Sequence, residues 1–119
     1  MARILLAEDD DSLRTFLAGA LIKAGHEVAD FPDGDLALEA LNNLQFDLLL
    51  TDIVMPGVDG VELARKAAEL RPDMKIVFIT VFAAVALNPA NQAPAKAKVL
   101  SKPFHLRELV AEVEKVMAA

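Results

Sequence analysis

Four short stretches place polar side chains where apolar runs end. They are "AEDD" with Glu8 and Asp9, "TDIVMPGVDG" with Asp52, "FIT" with Thr80, and "SKPF" with Lys102 and Pro103. Carboxylates brought to one place strain each other: two like charges about 4 Å apart repel by roughly 4 kcal/mol at an effective dielectric of about 20. Without a cation, one of them is pushed toward its protonated form. A divalent ion relieves that strain. An all-oxygen donor set favours Mg²⁺, which binds through one or two carboxylates, keeps waters and accepts phosphate oxygens. Lys102 adds a compact positive charge suited to a phosphoryl group, and Thr80 adds a hydroxyl donor. A carboxylate nucleophile with a metal, an ammonium and a hydroxyl has the parts needed for phosphoryl transfer onto the carboxylate.

These side chains must be carried by elements that bring them together. Five short apolar runs recur at Arg3–Ala7, Glu27–Phe31, Phe46–Leu50, Lys75–Ile79 and Lys98–Leu100. Nearly continuous apolar runs suit strands covered on both faces. Amphipathic stretches lie between them. Leu13, Phe16, Leu17, Ala20, Leu21 and Ala24 recur at helical spacing before Gly25. Leu36, Leu38, Ala40, Leu41 and Leu44 predict a second helix after Asp33. A third starts at the N-cap Asp59 and ends at Leu70 before Pro72. The last begins near His105 and carries Leu106, Leu109, Val110, Val113 and Met117 on one face. Strands alternating with helices imply βαβ units and a parallel sheet. In such open sheets the working crevice lies beyond the carboxyl ends of the strands, where Glu8, Asp9, Asp52, Thr80 and Lys102 fall.

Composition narrows the function. A chain of 119 residues suits one domain. The net charge is −6 with no basic run, which argues against nucleic-acid binding. No cysteine is present, so there is no disulfide, thiol nucleophile or cysteine metal site. The N-terminal apolar run is too short for a signal peptide, and no run is long enough to span a membrane. These features fit a cytoplasmic protein, and a monomer is expected.

Each polar group also has a plainer reading. Asp10 and Asp11 precede Ser12 and a helix, as caps or dipole partners do. A single Asp after a strand is commonly a turn residue, Thr80 suits a strand, and Lys102 suits solvent. The plainer readings require every outer strand end to supply its polar group by coincidence.

The set "AEDD", "TDIVMPGVDG", "FIT" and "SKPF" resembles a bacterial response-regulator receiver domain, CheY-like in fold, over essentially the whole chain. The resemblance implies a doubly wound five-stranded parallel sheet in the order 2-1-3-4-5, flanked by helices. It implies Asp52 as phosphoacceptor and Mg²⁺ held by Glu8, Asp9, Asp52 and the Val54 backbone carbonyl. Lys102 pairs with the phosphoryl oxygens, and Lys102–Pro103 is a cis peptide. The phosphoryl donor is a histidine kinase or histidine phosphotransferase. Such a protein is a regulator, not an enzyme, and catalyses only its own phosphorylation and dephosphorylation.

Two positions depart from that family. Val99 stands where receivers carry a Tyr or Phe that reports phosphorylation, and Val81 stands where they carry Ala or Gly after the Thr. A third departure is "VFAAVALNPANQAPAKA" from Val81 to Ala97. Pro89 and Pro94 forbid a full helix there, so the expected helix is no longer than Phe82 to Asn88. Phe82, Val85 and Leu87 either face the core or form an apolar docking patch beside the last helix. Together with Val81 and Val99 they are the candidate switch and partner surface. His26 and His105 have no metal-ligand spacing and are expected at the surface. The Phe residues are expected in the core.

No output domain is expected after Ala119, so function must lie in binding a partner. "SKPFHLRELV" and "FITVFAAVALN" are similar to the single-domain CpdR-type group, which implies an adaptor for the ClpXP protease, acting through ClpX when unphosphorylated. The terminal Ala118-Ala119 resembles the ending of ClpX degrons, although small residues end many chains. A phosphate sink and a regulator of another signalling protein are alternatives. A flavodoxin-like carrier would need aromatics to sandwich a flavin, and Trp and Tyr are both absent. A haloacid-dehalogenase-type phosphatase would need a second Asp two residues after the nucleophile, where Val54 stands.

Overall fold

The computed structural model describes residues 1–119. The elements alternate through the chain: β1 (Arg3–Ala7), α1 (Asp11–Lys23), β2 (Glu27–Phe31), α2 (Gly34–Asn43), β3 (Leu48–Thr51), α3 (Gly60–Leu70), β4 (Lys75–Thr80), α4 (Ala83–Leu87), β5 (Lys98–Ser101) and α5 (Leu106–Ala118). All strand pairs are parallel, and the sheet order is β2-β1-β3-β4-β5. This is the doubly wound arrangement with a short fourth helix that the sequence predicts.

Successive side chains on a strand point to opposite faces, and the core divides accordingly. Leu5, Ala7, Leu49, Ile76 and Phe78 pack with residues of α2, α3 and α4 on one face. Ile4, Leu6, Leu48, Leu50, Val77 and Ile79 pack with residues of α1 and α5 on the other. Beyond Arg3 and Lys75 at their starts, the three central strands are buried, which is why they read as continuous apolar runs.

Helix starts follow local chemistry. Asp10, Asp33 and Asp59 each accept a hydrogen bond from an amide three residues on, satisfying an orphan donor of α1, α2 and α3. α3 begins and ends where the sequence places it. The third strand starts two residues later than predicted, because the Asp47 carboxylate accepts from the Arg3 amide before the ladder begins.

Three expectations need correction. His26 is not at the surface but buried. Its Nδ1 accepts from the Ala2 amide at 3.0 Å, which leaves Nε2 to carry the proton and donate to Glu114 at 3.1 Å. The ring thereby ties the start of β1 to α5. Phe16 and Phe82 are not core residues: they are 61% and 48% exposed. α1 buries a narrow stripe through Leu17, Ala18 and Leu21, and Phe16 lies beside it. On α4 the buried residue is Ala86, while Val81, Phe82, Val85 and Leu87 are exposed. Pro89 starts a 3₁₀ turn over Pro89–Asn91 that ends the segment. No helix is long and apolar enough to cross a membrane.

Candidate functional site

The carboxyl ends of β1, β3, β4 and β5 meet at one edge. Glu8 follows β1, and its amide donates to the Phe31 carbonyl at 3.1 Å. Arg14, on the first turns of α1, donates to the Glu8 carbonyl at 2.9 Å and also reaches Asp11 and Asp30. This one guanidinium fixes the acidic loop to β2. Glu8 is buried. One of its oxygens accepts from the Asp10 amide at 3.1 Å and the other from Lys102 Nζ at 2.7 Å.

Asp52 follows β3 and is buried. Its Oδ1 accepts from the Ile53 amide at 2.6 Å and its Oδ2 from Lys102 Nζ at 2.7 Å. The loop that carries it is held from behind. Gly60, the first residue of α3, donates its amide to the Ile53 carbonyl at 2.7 Å. A Cβ at Gly60 would lie 1.8 Å from the Asp52 carbonyl oxygen, so only glycine fits this approach. Gly57 takes φ +76 at the turn, and the neighbouring Val58 amide donates to Asp35 at 3.2 Å.

Asp9 is exposed. Carboxylate oxygens of Glu8, Asp9 and Asp52 lie within 4.8 Å of one another. The Asp9 carboxylate makes no hydrogen bond or ion pair within the protein, and the Val54 carbonyl accepts none. Free oxygen donors beside two buried carboxylates form a hard, all-oxygen set that fits Mg²⁺. Burial pushes the Glu8 carboxyl above its usual value, although its bonds to Lys102 and the Asp10 amide pull the other way. Burial lowers the Lys102 ammonium, but its bonds to Asp52 and Glu8 outweigh that and raise it overall.

Thr80 ends β4, fully buried, and its hydroxyl accepts from the Phe82 amide at 2.9 Å. The Lys102 amide continues the ladder to the Thr80 carbonyl at 2.8 Å, and the Lys102–Pro103 peptide is cis. The structure thus gathers Glu8, Asp9, Asp52, Thr80 and Lys102 at one sheet edge. Val81, Phe82, Val85 and Leu87 form an exposed apolar patch beside it. Val99 is not part of that patch. It is half-buried on β5, in register with Phe78.

Sequence reasoning missed Arg14, Gly60 and Phe16. Arg14 looked like an ordinary surface cation of an amphipathic helix. Gly60 was visible in "VDG" but reads as turn chemistry there. Phe16 lies with Leu13, Phe104 and Leu106 around an apolar groove of about 510 Å³ that reaches Lys102 and Pro103. No spacing rule distinguishes such a residue from its buried neighbour Leu17.

A parallel sheet with this acidic edge, hydroxyl and lysine is the arrangement of a phosphoacceptor signalling domain, and relatives bear this out. The chain belongs to the response regulator receiver domain family, whose sequence profile matches residues 4–114. It is 63% identical over 119 residues to the response regulator receiver protein CpdR of Brucella abortus, covering all of this chain and 99% of that protein. It is 35% identical over 118 residues to the sensor kinase CckA of the same organism, spanning 98% of this chain but only 12% of the kinase. Among solved structures, the response regulator TrrA of Thermotoga maritima, in complex with Mg²⁺-BeF, is similar with a TM-score of 0.82 and 30% identity, covering 98% of this chain and 99% of that one.

Proposed function

We propose that this single receiver domain takes a phosphoryl group on Asp52 from a phosphohistidine of a histidine kinase or histidine phosphotransferase. Phosphorylation then switches the partner surface around α4. The observation that carries the reading is the placement of Asp52: buried at a strand mouth, bonded to Lys102, and beside the unbonded carboxylate of Asp9. An Asp52 oxygen attacks phosphorus. The phosphorus–nitrogen bond to the donor imidazole breaks, and the imidazole keeps the bonding pair and takes up a proton. Mg²⁺ held by Glu8, Asp9, Asp52 and the Val54 carbonyl would supply charge for the phosphoryl oxygens. Lys102 shifts its bond from the carboxylate to a phosphoryl oxygen, where a charge-assisted bond is about twice as strong as a neutral one. Thr80 donates its hydroxyl to another. The groove at Phe16 gives the donor protein an apolar seat beside the acceptor.

The output is partner binding in the cytoplasm by a monomer. In the unphosphorylated state the patch of Val81, Phe82, Val85 and Leu87 docks ClpX, and the chain serves as an adaptor for ClpXP. The exposure of these side chains and the similarity to CpdR over the full length support this. A phosphate sink is the competing reading, favoured by Val99, which cannot report as an aromatic would. Incubation with acetyl phosphate and Mg²⁺ tests the acceptor. Intact mass should show one added phosphoryl group on the wild-type chain and none on Asp52→Asn.

A further inference from the structure

The second half of the link between β4 and β5 is tied down by Arg65, which donates to the Asn91 carbonyl at 2.6 Å, and by Lys96, which donates to the Pro72 carbonyl. Its first half, around α4, is held mainly by its own turn bonds. The Thr80 hydroxyl, accepting from the Phe82 amide at 2.9 Å, fixes the turn out of β4. Phe82 then serves as N-cap of α4 with φ −108 and ψ 50, and it offers no side-chain cap. α4 has five residues and buries Ala86 alone. An element with so few buried contacts opens at low cost. The Phe82 ring before it is half-exposed, and Leu87 at its end stands largely in water.

Beneath this element is space. Phe78, Ala86, Leu87 and Val99, with the loop from Asn88 to Ala97, border a cavity of about 220 Å³. That is below the roughly 300–1,000 Å³ of small-molecule sites, so a side chain of the protein is the occupant that suits it. Val99 is small, and its strand partner Phe78 already belongs to the core. An aromatic at Val99 would take this space itself.

We propose that Phe82 is the side chain that reports the state of Asp52, moving from solvent to pack against Ala86 and Val99 when Thr80 turns to the phosphoryl group. The inference rests on phosphorylation of Asp52. When the Thr80 side chain turns about its Cα–Cβ bond to donate to a phosphoryl oxygen, the hydroxyl oxygen is carried away from the Phe82 amide, which loses its acceptor. The turn then re-forms, and the freed ring can leave water for an apolar wall. The same movement removes the largest side chain from the exposed patch. One rotation of Thr80 therefore changes the surface that a partner reads, with no aromatic on β5.

The chain contains no Trp or Tyr, so Phe82→Trp supplies a single fluorophore at the moving position. With Mg²⁺ and beryllofluoride, its emission should shift to the blue and quencher access should fall. The shift should vanish when Thr80→Ala is added, and also with Val99→Tyr, which fills the seat. Unchanged emission in a protein whose fluorine NMR shows bound beryllofluoride overturns the proposal while leaving Asp52 as acceptor. No beryllofluoride binding and no acetyl-phosphate modification in the wild-type chain overturn the acceptor reading and this inference together. As a check free of substitution at the ring, the wild-type chain can carry fluorinated phenylalanine at its 6 Phe positions. The Phe82 resonance, assigned with Phe82→Leu, should shift more than the others. A larger shift elsewhere, with Phe82 still, also overturns the proposal.

Discussion

The Lys102 ammonium stands 2.7 Å from Asp52 Oδ2, and it is at the same distance from Glu8 Oε1. One cation thus bridges two buried carboxylates and keeps them from repelling. Lys102→Met leaves Glu8 and Asp52 facing each other unpaired. Breaking a buried ion pair from one side costs about 3–5 kcal/mol, and the partial exposure of Lys102 places the expected loss at the lower end. Added Mg²⁺ should restore much of it. Urea denaturation with and without Mg²⁺ measures both effects; equal stability of the variant and wild type without metal would show that the bridge contributes nothing.

The metal prediction follows from the unbonded oxygens. A ligand that binds only the folded state stabilises it by about 2.7 kcal/mol at a hundredfold excess over its dissociation constant. Thermal melts of the wild-type chain should rise with Mg²⁺, and chelator should reverse the rise. Asp9→Ala should respond little. If Asp9→Ala gains as much as wild type, the ion sits elsewhere.

Much of this site was legible because strand ends obey a simple rule. Asp52, Thr80 and Lys102 each interrupt or follow an apolar run, and a parallel sheet puts such residues at one edge. Asp59 announced its helix as a cap, and the second helix was placed after Asp33. The unreadable parts depend on three-dimensional approach. His26 looked like a surface residue because nothing in "AGHEV" shows that its ring reaches both Ala2 and Glu114. Phe16 and Leu17 are adjacent and both apolar, yet one helical position separates an exposed groove wall from a side chain buried at its base. Gly60 is required by the Asp52 carbonyl, which no local pattern reveals.

Gly60→Ala tests that last contact. The added methyl would overlap the Asp52 backbone, and overpacking of this kind costs about 1–3 kcal/mol. Because the clash falls on the peptide of Asp52 itself, acetyl-phosphate labelling should slow as well. Ala substitution at Gly19, where a Cβ meets nothing within 4 Å, is the control and should leave labelling unchanged. Equal labelling in both variants would mean that the Asp52 loop is not positioned from Gly60.

Burial of Glu8 predicts a pH dependence with a definite sign. Its folded value lies above the usual 4.5. Between 4.5 and that raised value, the folded state keeps a proton that the unfolded state releases. Stability therefore falls as pH rises through this window. Glu8→Gln should flatten that part of the curve. Lys102 acts at the other end: its folded value lies above 10.5, so its contribution is complete below 10.5 and is lost as pH climbs through the raised value. Denaturation midpoints across the acid range check the first limb, and a Glu8→Gln curve parallel to wild type would refute it.

The partner prediction concerns the patch of Val81, Phe82, Val85 and Leu87. If this surface docks ClpX only in the unphosphorylated state, beryllofluoride must shift a conformational balance. Moving such a balance from 1:99 to 99:1 takes roughly 5.5 kcal/mol of differential interaction. Lys102 exchanges a charged bond it already makes to Asp52, so the gain comes from the new Thr80 bond to the phosphoryl group, at about 1.5–3 kcal/mol for a charged partner, together with the repacking of α4. Leu87→Asp lies at the exposed end of α4 and away from the carboxylates, so it should abolish ClpX binding while leaving acetyl-phosphate labelling intact. Asp52→Ala should bind constitutively, with or without beryllofluoride. Binding measured by surface plasmon resonance on immobilised ClpX separates the outcomes. Loss with Leu87→Asp and with beryllofluoride supports the adaptor. Binding unaffected by either, or no binding at all, removes it and leaves the phosphate-sink reading.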